Sequence, residues 1–388
     1  MKGKISKIKN TKGELALPIT TVEAIYMEDG KTLNDEIENI NSSLDNIEDE
    51  KATRQEVDVE RKRIDNISSS LDTIHSHNKL FKPSFGTDYN MYRGTEKRDD
   101  ETIKNHLTML YNNGCRKLIV VVSIGMYGAD KVTLLQEKNY IINYIAIAKS
   151  IGFEIDTLKI HWKDNTMNSI VPTISDEELK TKYLEPYTAI VNDLMISLKE
   201  YFTDLVVLNE CNVFYKEDTK YFDFTNNLLT LGKSHGYNVG ISSMGALETL
   251  NMHSSLQYNV SKFYLNIYPF MSYKLSATRI EDCLHSWENS YELRTMKTLK
   301  TYYPSKEIVI TETGCMDYYE SLGSPGIWSL SGFTATEGKA SNLMLEGMFK
   351  SALGDYVTNV YWCYWDSIYF DKCGKVINYY NNGGVQYV

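Results

Sequence analysis

Two glutamates each follow a run of residues that is typical of a buried strand. The apolar run Leu205–Leu208 ends abruptly in Asn209 and Glu210, and the run Ile308–Ile310 leads through a threonine into Glu312. If both strands belong to one parallel barrel, the two carboxylates lie at the same rim and can face each other. Two facing carboxylates are the minimum needed to hydrolyse a glycosidic bond. The sequence therefore predicts acid/base and nucleophilic chemistry on a sugar.

Other polar and aromatic side chains at the ends of predicted strands suit the same substrate. Imidazole and amide groups can hydrogen-bond to hydroxyls, and indole faces can stack on the C–H face of a sugar ring. Each of these side chains could instead pack the barrel end or point into water. We predict that the substrate is bound by Asn209, Tyr268, Trp365, His161, Asn266 and Trp162.

Metal and cofactor chemistry have little support in the sequence. The seven histidines are spread along the chain without an HxH or HExxH spacing, so no metal centre is predicted. No glycine-rich nucleotide motif follows a predicted strand, and no cofactor is expected.

Predicted strands and helices alternate from about residue 78 to the end of the chain. Continuous apolar strands that alternate with helices favour a parallel sheet covered by helices, and eight strands in roughly 300 residues favour a closed (β/α)8 barrel. The predicted strands are Phe81–Asp88, Lys117–Ser123, Glu154–Trp162, a strand in the stretch Leu205–Asn212, Asn238–Ser242, Lys262–Tyr268, a strand in the stretch Ile308–Gly314, and Thr358–Trp365. The predicted helices are Asp100–Asn112, Leu135–Ser150, Ser175–Tyr201, Asn226–His235, Ile280–Tyr302 and Glu337–Ala352, with a further one somewhere in Ala246–Gln257.

Composition excludes several classes of partner. The chain has 388 residues and a net charge of −10, which argues against nucleic-acid binding through a basic surface. No apolar run is long enough to span a membrane, and the first residues lack the apolar core of a signal peptide. The six cysteines are scattered without a CxxC pair, so we expect mostly free thiols in a protein that folds in a reducing cytosol.

The segment before the predicted barrel carries a heptad pattern. Apolar residues recur in steps of four and three from Leu33 to Ile47, and the pattern resumes from Val57 to Ile74 after a slip in phase. Such a narrow apolar stripe needs partner helices, and isoleucine and leucine in both core phases favour three strands. A helical hairpin packed on the chain's own flank is the alternative. We therefore predict an attachment module in 1–30, a trimeric coiled coil in 31–77 with a break near 48–56, and a barrel in 78–388.

The residues at the strand ends resemble those of clan A glycoside hydrolases, which are (β/α)8 retaining glycosidases. The resemblance rests on Asn209-Glu210, Glu312 before a glycine, the Asn266-x-Tyr268-Pro pattern and Trp365. It implies that Glu210 is the general acid/base and Glu312 the nucleophile. It further implies that Asn209 holds the substrate 2-hydroxyl, that Tyr268 hydrogen-bonds to the nucleophile, and that Trp365 forms the floor of the adjacent subsite. The chain departs from many members of that clan because the second strand ends in Ser123-Ile124-Gly125 and offers no arginine there.

The stretch from Ile19 to Leu33, followed by heptads, resembles the start of tail-fibre and baseplate proteins of phages that infect Gram-positive bacteria. This resemblance implies a virion protein assembled in the host cytoplasm, attached through its N-terminus to other tail or baseplate proteins. Its expected partner is the host surface polysaccharide: cell-wall glycan, teichoic acid sugar or capsule. The alternatives are a receptor-binding protein that holds glycan without cutting it, a structural baseplate protein and a bacterial glycosidase.

Overall fold

The computed structural model describes residues 8–9, 15–16, 83–93, 95–126, 132–162, 173–216, 221–269, 279–323, 325, 336–363 and 377. The chain divides into two compact units, Met1–Lys79 and Leu80–Val388. In the first unit, the short strands Ile8–Lys9 and Leu15–Ala16 pair in antiparallel fashion. The predicted coiled coil and its break lie outside the described residues, as does most of the predicted attachment module. The bounds given for the attachment module, the coiled coil and its break stay predictions.

The second unit is built on a closed barrel of eight parallel strands, as the alternation of strand and helix patterns predicts. The strands are β1 (Ser84–Thr87), β2 (Lys117–Gly125), β3 (Glu154–Trp162), β4 (Asp204–Asn209), β5 (Asn238–Met244), β6 (Phe263–Asn266), β7 (Ile308–Thr313) and β8 (Asn359–Trp362). Neighbours around the barrel follow the order β1-β8-β7-β6-β5-β4-β3-β2, and β1 also pairs with β2, which closes the ring.

Helices follow the barrel strands, with more interruptions than the apolar periodicity predicts. Within the described residues the α-helices are Asp100–Asn112, Lys138–Ile151, Asp176–Leu179, Glu185–Ser197, Phe222–Ser234, Ala246–Leu250, Ser254–Asn259, Ile280–Glu288, Tyr291–Tyr302 and Lys339–Lys350. A π-helical turn, Lys180–Leu184, joins the third and fourth of these. Short 3-10 turns cover Asn212–Phe214, Tyr319–Gly323 and Ala352–Asp355. The two-residue strand Thr133–Leu134 pairs with β2 in antiparallel fashion. The two-residue strands Tyr92–Arg93 and Glu96–Lys97 form a separate small hairpin.

Two predicted helices are interrupted in the structure. The prediction of one helix over Ile280–Tyr302 fails at Ser290, whose hydroxyl accepts the Leu293 N–H at 3.0 Å and so starts a new helix. The predicted helix in Ala246–Gln257 is two short helices. The predicted helix over Ser175–Tyr201 is unbroken from Asp176 to Ser197, but it includes the π turn. Serine caps and local changes of helix type do not disturb an apolar periodicity, so the pattern could not reveal them.

Two separate apolar clusters hold the barrel together. The larger one lies between the sheet and the helices. The smaller one takes alternate residues from the strands, namely Ile119, Val121, Val206, Tyr264, Val309 and Tyr361. This alternation marks the second cluster as the filling of the barrel interior. Gly240 on β5 makes room for it, because a Cβ atom there would lie 2.4 Å from the Tyr264 ring.

Five cysteines fall in the described residues, and all five are buried free thiols, as the sequence predicts. They are Cys115, Cys211, Cys283, Cys315 and Cys363. No helix within the described part of the chain is both long and apolar enough to cross a membrane.

Candidate active site

The strands that carry the predicted site residues change register just before those residues. The pairing of β4 with both of its neighbours shifts between Val206 and Asn209. The pairing of β6 with β7 shifts so that Asn266 lies opposite Glu312. Irregularities of this kind bend a strand and re-aim its side chains, and they are common next to active sites. They direct polar groups from β4, β6 and β7 to one place at the C-terminal rim of the barrel.

Glu312 on β7 has a hydrogen-bond donor at each carboxylate oxygen. Lys159 on β3 donates from Nζ to Oε2 at 2.9 Å, and Tyr268 donates from its hydroxyl to Oε1 at 2.5 Å. The Lys159 side chain is only 2% exposed and that of Glu312 is 17% exposed. A buried lysine needs a compensating carboxylate, so the pair locks the orientation of Glu312.

Asn266 on β6 links the two glutamates. Its Nδ2 donates to Glu210 Oε1 at 2.6 Å and reaches Glu312 Oε2 at 3.3 Å. Its Oδ1 accepts from the hydroxyls of Ser242 and Thr311, each at 2.8 Å. With the carbonyl side of the amide held by two hydroxyls, the NH2 side must face the carboxylates. Glu210 Oε1 and Glu312 Oε2 both lie near Asn266 Nδ2. The distance between these two oxygens is therefore at most the sum of their distances to the nitrogen, about 5.9 Å.

Glu210 directly follows β4 in an unusual backbone conformation. Its φ is 56°, in the left-handed region that residues other than glycine seldom adopt. The Glu210 N–H donates to the Ser242 carbonyl at 2.8 Å, which ties this residue to β5. Strained positions of this kind persist where the surroundings over-determine them, and they cluster at active sites. In this conformation the Glu210 carboxylate accepts a hydrogen bond from Asn266 on β6.

The surroundings shift the pKa values of the two glutamates in opposite directions. Burial raises the pKa of Glu210, and the negative charge of Glu312 raises it further. Burial also favours a high pKa for Glu312, but the Lys159 ammonium and the Tyr268 hydroxyl outweigh it and lower the pKa. The site thereby favours the protonated form of Glu210 and the ionised form of Glu312. Such a split assigns an acid and a nucleophile to a pair of carboxyl groups.

Asn209 and His161 also reach this part of the barrel. Asn209 is 2% exposed, and its Oδ1 accepts from Asn266 Nδ2 at 3.0 Å. His161 lies opposite Asn209 in the β3–β4 pairing, and its charge helps to lower the pKa of Glu312. The structure thus brings together Glu210, Glu312, Asn209, Asn266, Tyr268 and His161.

Trp162 does not fit the role predicted for it. The ring is 2% exposed and stacks on Tyr187 with 4.3 Å between centroids, and Phe214 lies at 6.0 Å. A sugar has no access to an indole face that is covered in this way, so the prediction of substrate contact is wrong for Trp162. At the end of β3 the aromatic side chain points into the packing layer, and His161, one residue earlier, points to the site. Trp365 lies outside the described residues, and its predicted role stays a prediction.

Sequence reasoning missed Lys159, Asp88 and Cys363. Lys159 interrupts the apolar run of β3 on the face that fills the barrel, and a lysine at an interior position signals a buried carboxylate partner. The second strand ends without an arginine, and Lys159 on β3 provides a positive charge beside Glu312 instead. Asp88 and Cys363 follow β1 and β8 directly, and the Cys363 thiol donates to Asp88 Oδ2 at 3.1 Å.

One group of described residues could hold a metal ion. Single ligand atoms of Asp88, Glu312 and Cys363 all lie within 4.8 Å of one another. Two features oppose a cation there: Glu312 already bears the Lys159 ammonium, and burial raises the pKa of the Cys363 thiol well above its ordinary value. A metal would have to displace a lysine and deprotonate this thiol.

The barrel is similar to solved structures of GH113 β-mannanases. Two structures of a GH113 β-1,4-mannanase align with a TM-score of 0.57, at 15% and 16% identity, over 78% of this chain and 98% and 99% of theirs. A GH113 β-mannanase from Alicyclobacillus acidocaldarius, in complex with ManMIm, aligns with a TM-score of 0.56 at 11% identity, over 78% of this chain and 97% of its own. At these identities the likeness shows the fold. No protein-family model matches the chain, and no curated protein matches it.

Proposed function

We propose that the chain is a retaining glycoside hydrolase, with Glu312 as nucleophile and Glu210 as general acid/base. The observation that carries this proposal is the position of Asn266, which holds one oxygen of Glu210 and one oxygen of Glu312 within about 5.9 Å of each other. Retaining enzymes need roughly 5–5.5 Å between the carboxyl groups, whereas inverting enzymes need roughly 6.5–9.5 Å to admit a water molecule. The opposite pKa shifts of the two glutamates support the same assignment of roles.

In the first step, the Glu312 carboxylate attacks the anomeric carbon while Glu210 gives its proton to the leaving oxygen. The bond between the anomeric carbon and that oxygen breaks, and an ester bond to Glu312 forms. Lys159 and Tyr268 keep Glu312 ionised and aimed, at the cost of some nucleophilicity. Because these donors are already in place, they need no rearrangement when the reaction occurs.

In the second step, water attacks the same carbon, and Glu210, now a carboxylate, takes the proton. The ester bond to Glu312 breaks, and the configuration of the sugar is retained after two displacements. The Asn266 NH2 group can donate a hydrogen bond to whichever of the two glutamates carries the negative charge. Asn209 and His161 would hydrogen-bond to the sugar hydroxyls, and Trp365 would form the floor of the adjacent subsite.

For the substrate, we propose a polysaccharide on the surface of a bacterial host, with the protein attached to a phage tail or baseplate. This part rests on the sequence between Ile19 and Ile74, where the tail-fibre-like stretch precedes the heptads. The similarity of the barrel to β-1,4-mannanases makes β-mannan the first defined polymer to include beside cell-wall and capsular glycans.

The test is hydrolysis of these polymers by wild type, Glu210→Gln and Glu312→Gln, with the exposed Glu185→Gln as matched control. New reducing ends should appear with wild type and with the control and should be lost in both site variants. Thermal unfolding of each variant shows that it is folded. A wild type that binds glycan and releases no reducing ends would overturn the catalytic proposal and leave a glycan-binding receptor protein.

A further inference from the structure

Met244 is an exposed apolar residue at the C-terminal rim of the barrel. It is the last residue of β5, and it is 54% exposed. Among the described residues, the other large apolar side chains with high exposure all lie on helices. Because the C-terminal ends of the strands form the substrate site of such a barrel, an apolar side chain at this position can meet the substrate.

The pairing of β5 with β6 directs the Met244 side chain to the barrel mouth. Met244 pairs with Asn266 in a parallel ladder, and paired residues present their side chains on the same face of the sheet. That face lines the site, because the Asn266 amide reaches both carboxylates. Ser243, one residue earlier, faces the helices, where its hydroxyl contacts the Thr249 hydroxyl. Alternation along the strand therefore puts Met244 on the inner face.

The backbone on either side of Met244 is held in place. Gly245 has a φ of 81°, and its N–H donates to the Asn266 carbonyl at 2.7 Å. The next N–H, of Ala246, donates to the Glu292 carboxylate at 2.6 Å. The chain thus leaves the barrel directly after Met244, and the side chain is presented from a fixed position.

Met244 lies closer to the proposed acid than to the proposed nucleophile. Its strand is next to β4, and the Glu210 N–H donates to the carbonyl of Ser242 at 2.8 Å. The strand that carries Glu312 is two positions away from β5. Asn266, the partner of Met244 in the ladder, donates to Glu210 Oε1 at 2.6 Å. Since neighbouring strands are about 4.8 Å apart, a sugar ring beside the Glu210 carboxylate is within reach of the Met244 side chain.

We propose that Met244 is a substrate-binding residue that packs against the leaving group of the glycosidic bond. This inference rests on the proposed function, in which Glu210 gives its proton to the leaving oxygen and so has the leaving group beside it. A thioether adapts to irregular apolar surfaces and offers no hydrogen-bond donor. It suits an uncharged leaving group that presents the C–H face of a sugar ring or another apolar surface.

The experiment separates contacts with the leaving group from contacts with the cleaved sugar. For the β-gluco, β-manno, β-galacto and N-acetyl-β-glucosaminyl series, kcat/KM of the 4-nitrophenyl glycoside is divided by kcat/KM of the glycosyl fluoride, whose leaving group is a single atom. Met244→Gln keeps the length of the side chain and should lower this ratio about tenfold, as expected when the burial of one or two CH2-sized groups is lost. Met244→Leu stays apolar and should keep the ratio within about threefold of wild type. Ile196→Gln, at a position on a helix that is 60% exposed, is the matched control and should not change it.

A Met244→Gln variant with the wild-type ratio would overturn the inference, including one that loses activity equally on both substrates. A wild type that cleaves none of these substrates refutes the catalytic proposal, and binding then decides the role of Met244. Calorimetry compares the 4-nitrophenyl and methyl glycosides of each sugar. Tighter binding of the 4-nitrophenyl member that Met244→Gln reduces would support the contact. An unchanged preference in Met244→Gln, or no binding by wild type, would overturn it.

Discussion

Lys159 on β3 reaches across the barrel to Glu312 on β7, with 2.9 Å between Nζ and Oε2. The two strands are not neighbours in the sheet, so this ion pair crosses the barrel interior. Burial acts to lower the pKa of Lys159, but the Glu312 charge and hydrogen bond, together with Asp88 and Cys363, outweigh it and raise that pKa. Each partner therefore favours the ionised form of the other.

Removal of the lysine charge should move the acid limb of the activity profile. In Lys159→Met, burial of Glu312 is opposed mainly by Tyr268 and His161, so the pKa of Glu312 rises. Because the nucleophile must be ionised, the acid limb of kcat/KM should move to higher pH. Lys159→Arg keeps the charge and should leave the limb near that of wild type. Superimposable profiles for Lys159→Met and wild type would contradict this role.

The wild-type profile itself should be bell-shaped around a mildly acidic optimum. Glu312 must be deprotonated, and its pKa lies below the ordinary 4.5, so activity is lost only as the pH falls through that lowered value. Glu210 must be protonated in the first step, and its pKa lies above 4.5, so activity falls as the pH rises through that raised value. The kcat/KM of an aryl glycoside, measured from pH 3 to pH 9, checks both limbs. An alkaline limb below pH 4.5 would refute the assignment of Glu210 as acid.

Loss of one partner of the ion pair should destabilise the fold. Glu312→Gln leaves the Lys159 side chain, which is 2% exposed, without its ion-pair partner, and this loss should lower the free energy of unfolding by about 3–5 kcal/mol. The double variant Lys159→Met/Glu312→Gln should recover much of this loss, because no buried charge remains. Thermal midpoints of the four chains make a double-mutant cycle. The exposed pair of Lys180 and Glu185, at 3.7 Å, serves as a control that should change stability by less than about 1 kcal/mol. A double variant no more stable than Glu312→Gln would contradict the argument.

The sequence alone was sufficient to predict the barrel. It was also sufficient to predict those rim residues whose polar side chains directly follow an apolar run. Glu210 and Glu312 stand out because each ends a buried-strand pattern, and both meet at one rim because parallel strands end on the same side. Trp162 shows the limit of this reasoning, since alternation along a strand puts adjacent residues on opposite faces and an end residue can take either one. Lys159 shows another limit, because its partner is more than 150 residues away and only the closed barrel brings them together.

Asn266 should matter through the direction of its amide. Asn266→Asp keeps the shape of the side chain but replaces the NH2 donor by a third oxygen that faces Glu210 and Glu312. We expect kcat to fall by about 10²–10³-fold, which is the usual effect of removing one preorganised donor. Thr311→Val removes one of the two hydroxyls that hold Asn266 Oδ1 and should have a smaller effect in the same direction. Steady-state kinetics on one aryl glycoside compares the two. Equal activity of Asn266→Asp and wild type would show that the amide is not needed.

The heptads upstream of the barrel predict that the full-length chain is a trimer. Leu33, Ile37, Ile40, Leu44 and Ile47 form one apolar stripe, and a charge placed in it would be buried in three copies. Ile40→Lys should therefore dissociate the assembly, whereas Asn46→Lys, on the polar side of the same predicted helix, should not. Sedimentation equilibrium should give three times the chain mass of 44.6 kDa for wild type and Asn46→Lys, and the chain mass itself for Ile40→Lys. Activity on a short soluble glycoside should be the same in all three, because the proposed site lies within one barrel. A monomeric wild type would refute the trimeric stalk and favour a helical hairpin packed on the chain's own flank.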